Sequence, residues 1–176
     1  MMTDDEIAAY HEAAHVAVAH CSEWIEVADD LVLLANGHGD AAVKMDLDAI
    51  KKAIAEDHNF TGDIARKELI HALLAGAAVE RELVSRRMAA ISEADILNAA
   101  SNDYQCARQV HGKMIAPLSL AEYESAVAIL FKNSIAWCVV EGLAKELMVR
   151  RTIQLADIPT VIDQIGEACE RCTRPK

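Results

Sequence analysis

The stretch "LIHALLAGAAV", residues 69 to 79, constrains the fold more than any other part of the chain. It is apolar almost all round at helical spacing, and such a helix has to be buried. Other helices must therefore surround it. The composition agrees, with three prolines, seven glycines and 4% aromatic residues within a chain that is 53% hydrophobic. That mix favours long, closely packed helices over a sandwich or a barrel. The 176 residues suffice for a single domain spanning 1–176.

Capping signals mark the other helices. Thr3 and Glu6 form a capping-box pattern before Ile7, Tyr10, Ala14 and Val18, predicting a helix from Thr3 to about His20. Asp46 or Asp48 is positioned to cap a short helix to about Glu56. Thr61 is expected to open the central helix, which runs through Leu69, Leu74, Val79 and Leu83. Ser92 and Asp95 begin a helix to about Met114, and Pro117 breaks the chain. Ser119 and Glu122 cap a long helix to about Arg151. A last helix runs from about Asp157 to about Glu170, with Pro159 in its first turn. One β-hairpin is expected, joining Leu31–Leu34 to Ala41–Met45 through Asn36-Gly37. The fold class is thus mainly α, with five to six helices and one small β-hairpin.

The formal net charge is −11, from 17 basic and 28 acidic residues. An acidic surface disfavours nucleic-acid phosphate as a partner. The acidic start Thr3-Asp4-Asp5-Glu6 does not read as a signal peptide. The best candidate for a membrane segment, Ala126 to Val140, is too short and is interrupted by Lys132-Asn133-Ser134. A cytoplasmic location is expected, and with it free thiols for most of the five cysteines. Cys169 and Cys172 form an isolated CxxC, half a zinc ligand set, and are read as two unlinked thiols.

The segment "AAYHEAAHVAVAH", residues 8 to 20, carries His11-Glu12-Ala13-Ala14-His15, an H-E-x-x-H pattern inside a predicted helix. Residues four apart share a helix face, with Cβ atoms about 5–6 Å apart. Two imidazoles there can converge on one zinc ion at about 2.0–2.2 Å. Glu12 points to the adjacent side and can reach a water on the metal without becoming a ligand. Catalytic zinc sites need a third protein ligand. His20 lies five residues after His15, which does not match the extended H-E-x-x-H-x-x-G-x-x-H pattern. The remaining histidines show no such pattern. His71 is expected to be a satisfied core histidine and His38 a solvated turn residue.

The same segment resembles the "A-x-H-E-A-G-H-A" start of the peptidase domain of the FtsH family, the membrane-bound ATP-dependent zinc proteases. "AASNDYQCAR", residues 99 to 108, resembles that family's "GASNDLxxAT" segment. "LLAGAAVEREL", residues 73 to 83, is similar to its "LGGRAAEELxxG". The resemblance covers essentially the whole chain. It departs at Ala14, where the family has glycine, and at Arg81, where the family has a second glutamate beside Glu80. Within these 176 residues no ATPase domain, no G-x-x-x-x-G-K-[ST] loop and no membrane anchor is expected.

The resemblance implies a zinc-dependent endopeptidase. Asp103 would be the third zinc ligand beside His11 and His15, with water as the fourth. Glu12 would be the general base. Glu80 is a candidate partner for a ligating histidine, or else a helix-surface or ion-pair glutamate. The implied substrates are short or already unfolded peptides, with a separate ATPase or a homo-oligomer as partner. The other reading is a non-catalytic peptide-binding or regulatory module that keeps the fold and loses the chemistry.

Overall fold

A computed structural model describes residues 1–35, 37–56 and 62–173, with side chains up to residue 169. In chain order its elements begin with α1 (Asp4–His20), β1 (Ile25–Val27), β2 (Leu31–Leu33), β3 (Gly39–Asp40) and β4 (Val43–Met45). They continue with α2 (Leu47–Glu56), α3 (Asp63–Ser85), α4 (Glu93–Ala99), α5 (Ser101–His111) and α6 (Leu120–Lys132). The chain ends with α7 (Ser134–Arg150), β5 (Thr152–Ile153), a single 3-10 turn and α8 (Ile158–Thr173). The fold is mainly α with a small amount of sheet, as expected. Eight helices are described, against five or six expected. No single described helix is long and apolar enough to cross a membrane.

The central helix is α3, which packs against α1, α5 and α6. Ala72, Leu74, Ala75, Ala77 and Val79 are fully buried. Its start lies at Asp63, and Thr61 falls outside the described residues. Against it lies α1, which presents Ala9, Ala13 and Ala14, all without exposed surface. Alanine and glycine at this contact let two backbones approach closely. The expected capping box at Thr3 is present: Thr3 N–H donates to the Glu6 carboxylate at 2.7 Å, and Glu6 N–H donates to the Thr3 hydroxyl at 3.3 Å. Asp46, not Asp48, caps α2, accepting from the N–H groups of Asp48 and Ala49.

Two long helical predictions each divide in two. The segment from Ser119 turns by 86° at Asn133. Asn133 has extended backbone, and its side-chain oxygen accepts from Ile135 N–H at 2.8 Å, so it ends α6 and caps α7. Arg86 holds the corner, donating to the Phe131 carbonyl at 3.1 Å while its guanidinium lies 3.9 Å from the Trp137 ring centre. The segment from Ser92 breaks at the buried Ala100, between α4 and α5.

The single expected hairpin is replaced by two small sheets. Strand β2 pairs with β3 (Val32 opposite Asp40, Leu33 opposite Gly39) and on its other side with β5. Strand β4 instead pairs with β1, Val43 opposite Val27 and Met45 opposite Ile25. Packing explains the exchange. Leu31 and Leu33 join the main core around α1 and α7, while Ile25, Val43 and Met45 close over Leu69 and Ala72 of α3. Each apolar cluster takes its own strand pair. Asn36 lies outside the described residues; Gly37 beside it adopts φ +73°, a conformation suited to glycine.

The cysteine reading is also corrected. Cys169 is not a free thiol: it forms a disulfide with Cys138, joining α7 to α8. The two helices approach so closely that a Cβ at Gly142 would lie 2.5 Å from Ile165. This brings the two cysteine Cα atoms to 6.0 Å, within disulfide range. Cys21 and Cys106 are free, and the side chain of Cys172 falls outside the described residues.

Candidate metal centre

The middle of α1 carries His11, Glu12 and His15, and α5 carries Asp103. One ligand atom from each of His11, His15 and Asp103 lies within 4.8 Å of the others. His11 Nε2 stands 3.3 Å and His15 Nε2 3.5 Å from Asp103 Oδ2. The outer nitrogens are both engaged. His15 Nδ1–H donates to the Ala72 carbonyl at 2.7 Å, and His11 Nδ1–H donates to Glu80 Oε1 at 2.6 Å. Those bonds fix the tautomers and turn both Nε2 atoms toward Asp103, as in metal sites whose histidines are anchored from behind. Glu80 is 3% exposed, so it is a buried partner of His11 and not a solvated glutamate.

The titratable groups around this point are strongly coupled. Burial favours a neutral His11, yet hydrogen bonds to Asp103 and Glu80 outweigh it and raise its pKa to about 10. Burial pushes the Asp103 carboxyl up, but the His11 and His15 imidazoles overcome this and hold it far below the usual carboxylate range. Burial raises Glu12, only partly offset by His15 and His11. Two imidazole nitrogens and a carboxylate oxygen, oriented by a carbonyl and a buried glutamate, can hold a metal ion.

Two glycines permit this packing. A Cβ at Gly76 would lie 2.3 Å from His11 Nε2, so α3 can approach the ring only with glycine there. A Cβ at Gly39 would lie 2.3 Å from Glu12 Cγ, so the backbone of β3 rests directly on Glu12. A cavity of about 420 Å³ opens on one side of Glu12, among His11, His38, Glu80 and Asp95. Another of about 340 Å³ opens on the other side, among Asp40, Ala42, Val43, Asp103 and Cys106. Glu12 and Gly39 line both.

All five residues singled out from the sequence come together here. The exposed His38 reaches the rim of the larger cavity. His71 departs from its reading as a satisfied core histidine: its buried Nε2 has no hydrogen-bond partner among the described residues, and its ring meets Tyr123 edge-on. Sequence reasoning did not pick out Gly39, Gly76 or the Ala72 carbonyl. Isolated glycines within a strand and a helix are themselves a signal of close backbone approach; the carbonyl leaves no trace in residue identity. No family model matches the chain, and no curated protein matches it.

Proposed function

We propose that the chain is a zinc-dependent endopeptidase, of the kind found in the FtsH peptidase domain, acting on short or unfolded peptides. The observation that carries this reading is the convergence of His11, His15 and Asp103 beside a half-buried Glu12 that lines two cavities. A donor set of two imidazoles and one carboxylate suits Zn²⁺, and three protein ligands are the number that catalytic zinc sites use. When bound, zinc supplies a Lewis acid that polarises a carbonyl and makes water nucleophilic near neutral pH.

The protein groups perform the remaining tasks. Glu80 and the Ala72 carbonyl keep the two imidazoles aimed inward. Glu12 takes the proton of the attacking water and returns it to the departing amine. Its raised pKa suits a group that must both accept and release a proton. Among the described residues strand β3 pairs with β2 alone, and its other edge would take an extended peptide lying along both cavities.

The test is Glu12→Gln, an isosteric change that leaves the three ligands untouched. The variant is expected to hold zinc as the parent does, while cleavage of a mixed peptide library falls by roughly 10²–10⁴-fold. Equal cleavage by parent and variant would sink the reading, as would a parent that takes up no zinc.

A further inference from the structure

The residue after Glu80 on α3 is Arg81, and it joins four helices. Its Nε–H donates to Glu93 of α4 at 3.0 Å, and a second nitrogen pairs with the same carboxylate. Its remaining terminal nitrogen donates to the Tyr104 hydroxyl of α5 at 3.2 Å and pairs with Glu124 of α6. Tyr104 O–H in turn donates to Glu124 at 2.6 Å. The Arg81 side chain is 31% exposed and that of Glu93 58%, so solvent screens these pairs and they contribute little to overall stability. Their effect is on position.

That position matters because Tyr104 follows Asp103. Successive helical residues are about 100° apart around the axis, so the two side chains leave α5 toward different neighbours. Asp103 turns to the α1 histidines, and Tyr104 turns to α3 and α6. The start of α5 is weakly defined locally, since Ala100 offers no side-chain cap. The rotation of α5 about its axis therefore depends on what grips it from outside.

We infer that Arg81 is a positioning residue for the metal centre: by gripping Tyr104 it sets the rotation of α5 that aims Asp103 at His11 and His15. This rests on the metal-centre reading. It makes α3 the common support of all three ligands, through the Ala72 carbonyl for His15, Glu80 for His11 and Arg81 for Asp103. A ligand set tolerates only about 0.5 Å or 10–20° of error before function suffers.

The experiment measures zinc affinity by chelator competition, and the visible spectrum of the Co²⁺-loaded protein, for the parent and for Arg81→Met, Arg81→Lys and Tyr104→Phe. Arg81→Met is expected to weaken zinc binding by roughly 10–100-fold, as loss of groups behind metal ligands does. The Co²⁺ bands should change in position and intensity, and Arg81→Lys should recover part of the affinity. In an Asp103→Ala background, Arg81→Met should change the remaining affinity by less than about twofold, because coupled residues are not additive. An equal fall in both backgrounds would show a general structural effect and overturn the inference. An unchanged affinity and Co²⁺ spectrum in both Arg81→Met and Tyr104→Phe would overturn it too, while leaving the metal centre intact. A parent that takes up neither zinc nor cobalt overturns the metal-centre reading itself. Tyr104→Phe removes only a hydroxyl and serves if Arg81→Met does not fold.

Discussion

At the scale of single residues, His11 is the point where burial and charge compete most directly. Its pKa rises to about 10 in the folded, metal-free protein, against about 6.5 when unfolded. The sign follows from linkage. Below about 6.5 both states carry the proton, and the stabilisation is fully present. Between about 6.5 and 10 the folded state holds a proton that the unfolded state has lost, so stability falls as pH rises. Thermal melts of chelator-treated protein should therefore decline across that window. The zinc-loaded protein should decline less, because the metal takes the place of that proton. A flat profile in the metal-free protein would contradict the assignment. His11, Glu12 and His15 were legible in the sequence because their relation is local: two histidines four residues apart on one helix face, with Glu12 beside the first. Glu80 was visible only as one of two alternatives, since its role depends on which way α3 crosses α1. Asp103 was selected by resemblance alone; its distance in sequence from His11 leaves no periodic trace.

At the scale of elements, the close crossing of α1 and α3 is the feature on which the centre depends. Gly76→Ala poses a contest of two effects. Alanine gains about 1 kcal/mol of helix propensity over glycine. The added methyl would lie 2.3 Å from His11 Nε2, and such overpacking costs about 1–3 kcal/mol. The clash wins at the ligand, because the atom it meets is the one required to face Asp103. Circular dichroism should show the helices retained, while zinc affinity falls by roughly tenfold or more. Zinc binding as tight as the parent's would refute this. Helix starts at Thr3, Ser92 and Ser119 were readable because a cap is a contact of three residues. Lys132-Asn133-Ser134 showed in the sequence as a break in an apolar run but not as a corner, and the cation over Trp137 that holds it comes from Arg86, at the distant end of α3. The strand exchange was hidden for a similar reason: Asn-Gly marks a turn, but which strand each arm joins depends on which apolar cluster it covers.

At the scale of the whole molecule, the Cys138–Cys169 bond ties the last helix to α7 across a separation of 31 residues. In the chain-entropy account a loop of that size stabilises by about 3–4 kcal/mol. Reduction should lower the melting temperature by roughly 7–14 °C. It should leave zinc affinity unchanged, since neither cysteine lies among the metal ligands or their partners. Melts with and without dithiothreitol check this, and a Cys138→Ala/Cys169→Ala variant should ignore the reductant. A melting temperature indifferent to reductant in the parent would remove the bond from the account of stability. Pairwise spacing could not reveal it, because Cys169 had a nearer sequence neighbour in Cys172.

The gathering of every ligand support onto α3 has a consequence for mutational tolerance. Positions that brace the chemistry share a helix with Leu74, Ala75 and Val79, which already cannot change without damaging the core. Substitutions that drift through α2, which buries no residue, should pass unnoticed by the centre. A saturation library scored for folding and separately for metal uptake would see both scores fall at the buried apolar positions of α3, metal uptake alone fall at Gly76, Arg81 and the ligands themselves, and neither change along α2. Such a chain can diverge widely in its outer sequence while its centre stays recognisable.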